Sequence, residues 1–174
     1  MVGVVGAPHK METARALGCQ HVIDKSTEAL WARARSISER GYDIILDANG
    51  VSTLGDSYRH LRPAGKLVVY GFASMLPRQG GRPRWLKLAW DWLRTPRFNP
   101  LELTTTSRSV LAFNLSYLFD RTDLMAEAMG LLAQMLSDGR LRPLPTTTYP
   151  LDEVARAHQD LESGQTVGKL VLVP

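Results

Sequence analysis

The sequence predicts an α/β fold, a mostly parallel sheet with helices on its faces. Three observations predict it. Apolar runs of strand length alternate with helical patterns from Val2 to Tyr70. The connections between them are short. The run YDIILDANG has almost no polar interruption, as in a parallel strand covered on both sides.

Each element has its own signal. Val2, Val4 and Val5 make a first strand, and Met11 to Leu17 a helix that Gly18 ends. His21 to Asp24 is a second strand. Ser26 or Thr27 caps a helix through Ala29, Leu30 and Ala34 to Ile37. After the apolar run, Ser52 or Thr53 begins a helix through Leu54, Tyr58 and Leu61. LRPAG is a Pro-Gly turn that leads into a strand from Lys66 to Tyr70. The alternation then breaks at an insertion over residues 75–100, rich in tryptophan and basic side chains. RSVLAFNLSYL is a further strand. A helix runs from Thr122 or Asp123 through Met135 and ends near Gly139. LRPLPTTTYP is extended. LDEVARAHQDLESG is a helix with Leu151, Val154, Ala155, His158 and Leu161 on one stripe, and GKLVLVP is a last strand. No repeat or linker interrupts the chain, so residues 1–174 read as one domain.

Bulk properties exclude several classes. With 174 residues, 44% hydrophobic and 22% charged, the chain is an ordinary globular sequence. The single cysteine, Cys19, has no internal disulfide partner, which fits a reducing, cytoplasmic setting. No charged n-region leads into an apolar stretch, so no signal peptide is expected. No run approaches the roughly 18 apolar residues of a spanning helix. The net charge of +4 is local: Arg78, Arg82, Arg84, Lys87, Arg94 and Arg97 face only Asp91 in their segment. That is a patch on one insertion, not a nucleic-acid-binding face.

The chemistry-bearing motifs are few. Gly3 and Gly6 follow hydrophobic residues, but no third glycine completes a G-x-G-x-x-G turn, and Pro8 removes an amide where a pyrophosphate loop needs one. The alternative places this stretch at the end of a second strand, where the chain meets the adenosine ribose. An acid there selects a 2′-hydroxyl and cations accept a 2′-phosphate. The stretch offers His9 and Lys10, with Lys25 one strand later; the alternative is that they are solvated surface side chains. His9, Cys19, His21, His60 and His158 show no C-x-x-C or H-x-x-x-H spacing, so no metal site is expected. No G-x-S-x-G elbow is present, and no catalytic residue is assigned. Asp47, the Tyr70–Phe72 segment and the Phe113–Leu115 segment lie in or at the ends of three strands. They either converge on one cofactor crevice or serve only as caps and turns. Trp85, Leu88, Ala89, Trp92 and Leu93 form one helical stripe, with Trp90 nearby. The stripe packs on protein or, in the alternative reading of the chain as a non-catalytic docking module, lies on a membrane surface.

Five stretches in order, GAPHKMETARALGCQHVID, YDIILDANG, LRPAGKLVVYG, GRLRPLPTTTYPLDEVARAHQDLESG and QTVGKLVLVP, resemble the medium-chain dehydrogenase/reductases. The C-terminal block is similar to their zinc-independent quinone oxidoreductase branch. WLKLAWDWL and SVLAFNLSYL resemble the vesicle amine transport protein-like members of that branch. The resemblance covers essentially the whole chain. It implies an NADPH-dependent reductase of quinones or enones. Lys10 matches the lysine that meets the 2′-phosphate. Lys25 falls where relatives place another donor to it. Asn49, Gly50 and Val51 match a loop near the riboses; Gly71 and Phe72 match the next strand end. Phe113, Asn114 and Leu115 match the segment beside the nicotinamide, and Gly168 and Lys169 a C-terminal pair near the cofactor. The resemblance also implies a homodimer joined through the strand at 110–118, and a substrate-wall domain, a first Rossmann strand and a glycine turn that this sequence does not contain. The chain is therefore expected to be an incomplete Rossmann-like, cofactor-binding portion of an oxidoreductase, inactive alone.

Overall fold

The computed structural model describes residues 1–75 and 85–174. In chain order the elements are β1 (Val2–Val5), α1 (Met11–Ala16), β2 (His21–Asp24), α2 (Leu30–Ile37), β3 (Tyr42–Asp47), α3 (Leu54–Arg59), β4 (Leu61–Val69), α4 (Trp85–Arg94), α5 (Pro100–Thr106), β5 (Ser109–Ala112), α6 (Thr122–Ser137), β6 (Thr146–Pro150), α7 (Val154–Glu162) and β7 (Lys169–Val173). All strand pairs are parallel, as an α/β fold with crossover helices requires. Among the described residues the strands form three sheets, β1-β2, β3-β4-β5 and β6-β7. The pair and the triplet keep the neighbours that a doubly wound order 3-2-1-4-5-6 gives to strands two and three, and to strands four, five and six. Among the described residues no strand joins them.

The chain divides into two compact units. One comprises Met1–Leu30 with Arg121–Pro174, the other Trp31–Asp120. The second holds the main core. Leu54, Tyr58, Leu61, Leu67 and Val69 are buried together, with Ile45, Phe98, Leu103 and Val110 packed against them. Each such side chain contributes about 1.5–3 kcal/mol of burial. In the first unit Ile23 is fully buried, and α7 buries Ala157. The stripe of Leu151, Val154, His158 and Leu161 is exposed instead.

Several boundaries differ from the sequence reading for local reasons. Ser26 bonds back to the Asp24 carboxylate, so α2 starts later, at Leu30. Leu61 leaves the expected helix because it pairs with Tyr42 at the start of β4. The Pro-Gly turn then appears as a bulge inside that strand: Tyr42 faces Leu61, but Ile44 faces Lys66, and Ala64 takes a positive φ of 64°. β5 stops at Ala112, and Leu115–Leu118 is a 3-10 turn rather than strand. The long strand expected over 108–118 is thus four residues. α5 was absent from the sequence reading. Asn99 caps it by accepting from the Leu101 amide at 3.0 Å, with Pro100 in its first turn. The tryptophan-bearing stretch is helical as α4, but Arg78, Arg82 and Arg84 of the basic insertion lie outside the described residues.

Candidate functional site

The residues singled out by sequence fall into two groups, one on each unit. On the first unit they lie at the carboxyl ends of β1 and β2. Val5 is paired with Asp24 in the last rung, and a Cβ on Gly6 would meet the Lys25 side chain at 3.6 Å. A 3-10 turn at Pro8–Lys10 carries His9 and Lys10 out of β1. The Lys10 ammonium donates to the Gly164 carbonyl, and His9 Nε2 lies 2.8 Å from the Gln165 carbonyl. Lys25 is exposed. The nearby acid, Asp24, is 1% exposed and turned away from solvent. Its Oδ1 accepts from the Ser26 hydroxyl at 2.6 Å and the Ser26 amide at 2.9 Å. These bonds, chiefly that of the hydroxyl, hold its carboxyl below the usual carboxylate range; burial pulls the other way, and the neighbouring charge of His9 assists the lowering. Lys10, Lys25 and His9 thus stand at these strand ends with Asp24 withdrawn, while the Glu28 carboxylate accepts from the Asp24 amide at 3.2 Å.

Gly168 and Lys169 belong to the same unit. Gly168 has φ of 86°, and a Cβ there would collide with the Pro145 carbonyl, while the Lys169 amide donates to that carbonyl at 2.9 Å. Gly168 lets two backbones cross at the head of β6 and β7.

On the second unit the organising group is Asp47, 3% exposed at the end of β3. Its carboxylate accepts from the amides of Asn49 and Gly50 at 2.9 and 3.0 Å, from the Thr53 hydroxyl at 2.7 Å and from the Ser57 hydroxyl at 2.8 Å. It shapes the turn that holds Asn49, Gly50 and Val51. The sequence marks Thr53 only as a helix start and does not single out Ser57; their spacing of four, one helical turn, is the signal that puts both hydroxyls on Asp47. Gly50, at φ of 81°, lies under Phe72: a Cβ would collide with the ring. The turn is also tied to the end of β4, since the Ala73 amide donates to Ala48 and the Ser74 amide to Asn49, both at 2.9 Å. Gly71 approaches the Ala48 carbonyl, where a Cβ would sit 3.0 Å away. Past the end of β5, the Phe113 amide donates to Val69 at 3.1 Å, and its ring stacks on Tyr70 with centroids 6.4 Å apart. The Asn114 side chain accepts from the Ser116 amide at 3.0 Å, which turns the chain at Leu115. Tyr70, Phe72, Phe113 and Leu115 remain 43–50% exposed. Three strand ends thus form one apolar, aromatic shelf beside a rigid turn, at the edge where open α/β sheets take ligands.

The profile of a family described as zinc-binding dehydrogenase matches residues 17–172. The chain belongs to the zinc-binding dehydrogenase family. It is an oxidoreductase-type domain of the medium-chain dehydrogenase/reductase superfamily. Among curated relatives it is 33% identical over 163 residues to a synaptic vesicle membrane protein VAT-1 homolog of Danio rerio, covering 94% of this chain and 33% of that protein. It is 32% identical over 176 residues to a 2-haloacrylate reductase of Burkholderia, covering 100% and 48%. Among solved structures it is similar to a Pseudomonas syringae quinone oxidoreductase, with a TM-score of 0.69, 26% identity and coverage of 99% and 48%. A mycobacterial protein complexed with NADPH matches with a TM-score of 0.67, 25% identity and coverage of 99% and 48%. The chain spans about a third to a half of the length of these curated relatives.

Among the described residues the donors are not arranged as a zinc site needs. Among the described residues no three His, Cys, Asp or Glu side chains come together. The Cys19 sulfur lies against Gly3, His9 is bonded to Gln165, and His60 Nδ1 to the Asp56 carbonyl. Among the described residues no helix is long and apolar enough to cross a membrane.

The Asp24 contacts predict a signed pH effect. A carboxylate held below its unfolded pKa of about 3.9 stabilises the fold above that pH, and the stabilisation is lost as pH falls through the lower folded value. Urea midpoints between about pH 6 and 2.5 should show native chain and Asp24→Asn diverging at the neutral end and converging below about pH 4.

Proposed function

We propose that this chain is the cofactor-binding portion of an NADPH-dependent reductase of quinones or enones that works without zinc. The observation that carries the reading is the set of side chains at the ends of β1 and β2, where Lys25 is exposed, Lys10 and His9 lie beside it on the Gly164 and Gln165 carbonyls, and Asp24 is turned inward. Similarity to a protein complexed with NADPH supports it, as does similarity to a quinone oxidoreductase and a 2-haloacrylate reductase. Bound NADPH supplies a hydride for the electron-poor carbon of the substrate. Lys10 and Lys25 hold the 2′-phosphate, and Lys169 adds a further contact near the cofactor. The turn at Asn49, Gly50 and Val51, fixed by Asp47, faces the riboses. Gly71 leaves room at the end of β4. Phe72, Phe113, Asn114 and Leu115 line the nicotinamide side and keep water from it.

The isolated chain has little reductase activity, because its sequence contains no G-x-G-x-x-G turn to donate amides to the pyrophosphate. Calorimetric titration of Lys10→Ala/Lys25→Ala should show NADPH affinity reduced about 10- to 100-fold, with NADH affinity unchanged. An unchanged preference, or fast turnover of a simple quinone by the 174-residue chain, overturns the reading.

β5 ends the order β3-β4-β5, and Leu111 on it is 50% exposed. A second copy pairs along this edge. Light scattering should give the mass of two chains; a monomer at micromolar concentration counts against it.

A second reading rests on α4. Trp85, Leu86, Trp90, Trp92 and Leu93 are 59–89% exposed and the helix buries nothing. As a docking helix it would lie on an anionic membrane surface. Co-sedimentation with phosphatidylserine vesicles should then be salt-sensitive and lost in Trp85→Ala/Trp92→Ala; no sedimentation of the native chain removes this reading.

A further inference from the structure

The cation assigned to the cofactor phosphate is already engaged. Lys10 donates to the Gly164 carbonyl, and Gln165 O lies 2.8 Å from His9 Nε2. A carbonyl can only accept, so the His9 proton is on Nε2. These two carbonyls follow the last turn of α7. Gly164, at φ of 69°, is its left-handed cap and donates to Leu161 O at 3.2 Å. The Ser163 hydroxyl donates to Asp160 O at 2.6 Å and accepts from the Gln165 amide at 3.1 Å. Two cation-capable side chains from the end of β1 therefore close on the carbonyl-rich end of α7, where positive charge is favoured.

We infer that the segment from Ser163 to Gly168 is a latch that a phosphate on the cofactor releases. The inference rests on the reading of Lys10 as the phosphate cation. A lysine bound to a neutral carbonyl exchanges it for a dianionic phosphate, because a bond with both partners charged is stronger than one with only the donor charged. Within this segment Gly164 and Gly168 both have positive φ, at 69° and 86°, and so bound a short hinge. Lys169 is anchored through its amide to Pro145 and stays in β7 when the segment moves. An unphosphorylated dinucleotide leaves Lys10 on Gly164 and the latch shut. The phosphate thus both adds affinity and frees a backbone segment.

Amide hydrogen exchange on the intact chain tests this, with 2′,5′-ADP, 5′-AMP and inorganic phosphate as probes and calorimetry to establish what binds. Saturating 2′,5′-ADP should speed exchange at Gly164 and Gln165 about tenfold while Lys169 stays protected, and 5′-AMP should not. Inorganic phosphate acting at matched ionic strength would show that the phosphate alone is sufficient. Lys10→Met without ligand should show the same acceleration and no further response. Lys25→Met should bind 2′,5′-ADP more weakly yet keep the slow exchange of the unliganded native chain. Bound 2′,5′-ADP with unchanged or slower exchange overturns the latch and leaves the phosphate site standing. Absence of 2′,5′-ADP binding, with Lys10→Met still freeing the segment, overturns the phosphate reading and with it the coupling. Native exchange rates in Lys10→Met overturn the latch outright.

Discussion

The second unit depends on one buried carboxylate. A charge at 3% exposure is costly unless every lone pair is used, and Asp47 collects two amides and two hydroxyls. Those four donors come from the turn after β3, from Thr53 at the head of α3 and from Ser57 within it. The carboxylate therefore fixes strand end, turn and helix as one body. Through Gly50 the turn supports Phe72, and through the Ala48 and Asn49 carbonyls it holds the segment after β4. The aromatic shelf inherits its order from this network. Replacing Asp47 would leave the Ser57 hydroxyl buried without its acceptor, at a cost of about 1–3 kcal/mol for that group alone.

The first unit solves a related problem differently. Asp24 also ends a strand and is also buried, but it is served mainly by Ser26, and its Oδ2 has no partner among the described residues. It organises less. Its consequence is subtractive: with this acid turned inward, one negative charge fewer faces His9, Lys10 and Lys25. Two aspartates at two strand ends thus have opposite uses, one building a turn and the other withdrawing negative charge from a cationic patch.

Much of this was legible in the sequence because the decisive signals are local. The apolar run at 42–47, the cations after β1 and the glycines after β3 and β4 all mark their elements without help from distant residues. What was not legible came from pairing and from competition. Leu61 reads as the last apolar position of a helix, yet Tyr42 recruits it into β4. Ser26 reads as a cap, yet the Asp24 carboxylate claims its hydroxyl first. Leu115 to Leu118 read as strand by composition, and Asn114 turns them by capping. α5 is a different kind of miss: Asn99-Pro100 is a helix start written plainly, hidden only by the unusual composition before it. The contacts of Lys10 and His9 with residues 154 and 156 positions away had no signal in spacing at all.

On the proposed phosphate role of Lys10, its contact with Gly164 bears on how cofactor choice can be redesigned. Position 10 is pleiotropic. An acid there, the simplest change toward an unphosphorylated dinucleotide, also removes the donor that restrains the end of α7 and sets a negative charge against two carbonyls. Preference and backbone order would change together, and a fitness cost in one would mask a gain in the other. Position 25 is separable: Lys25 is exposed, and its side chain runs past Gly6 rather than to that loop. Under the proposed phosphate reading, an evolutionary or engineered path between the two cofactors is therefore shorter through position 25 than through position 10.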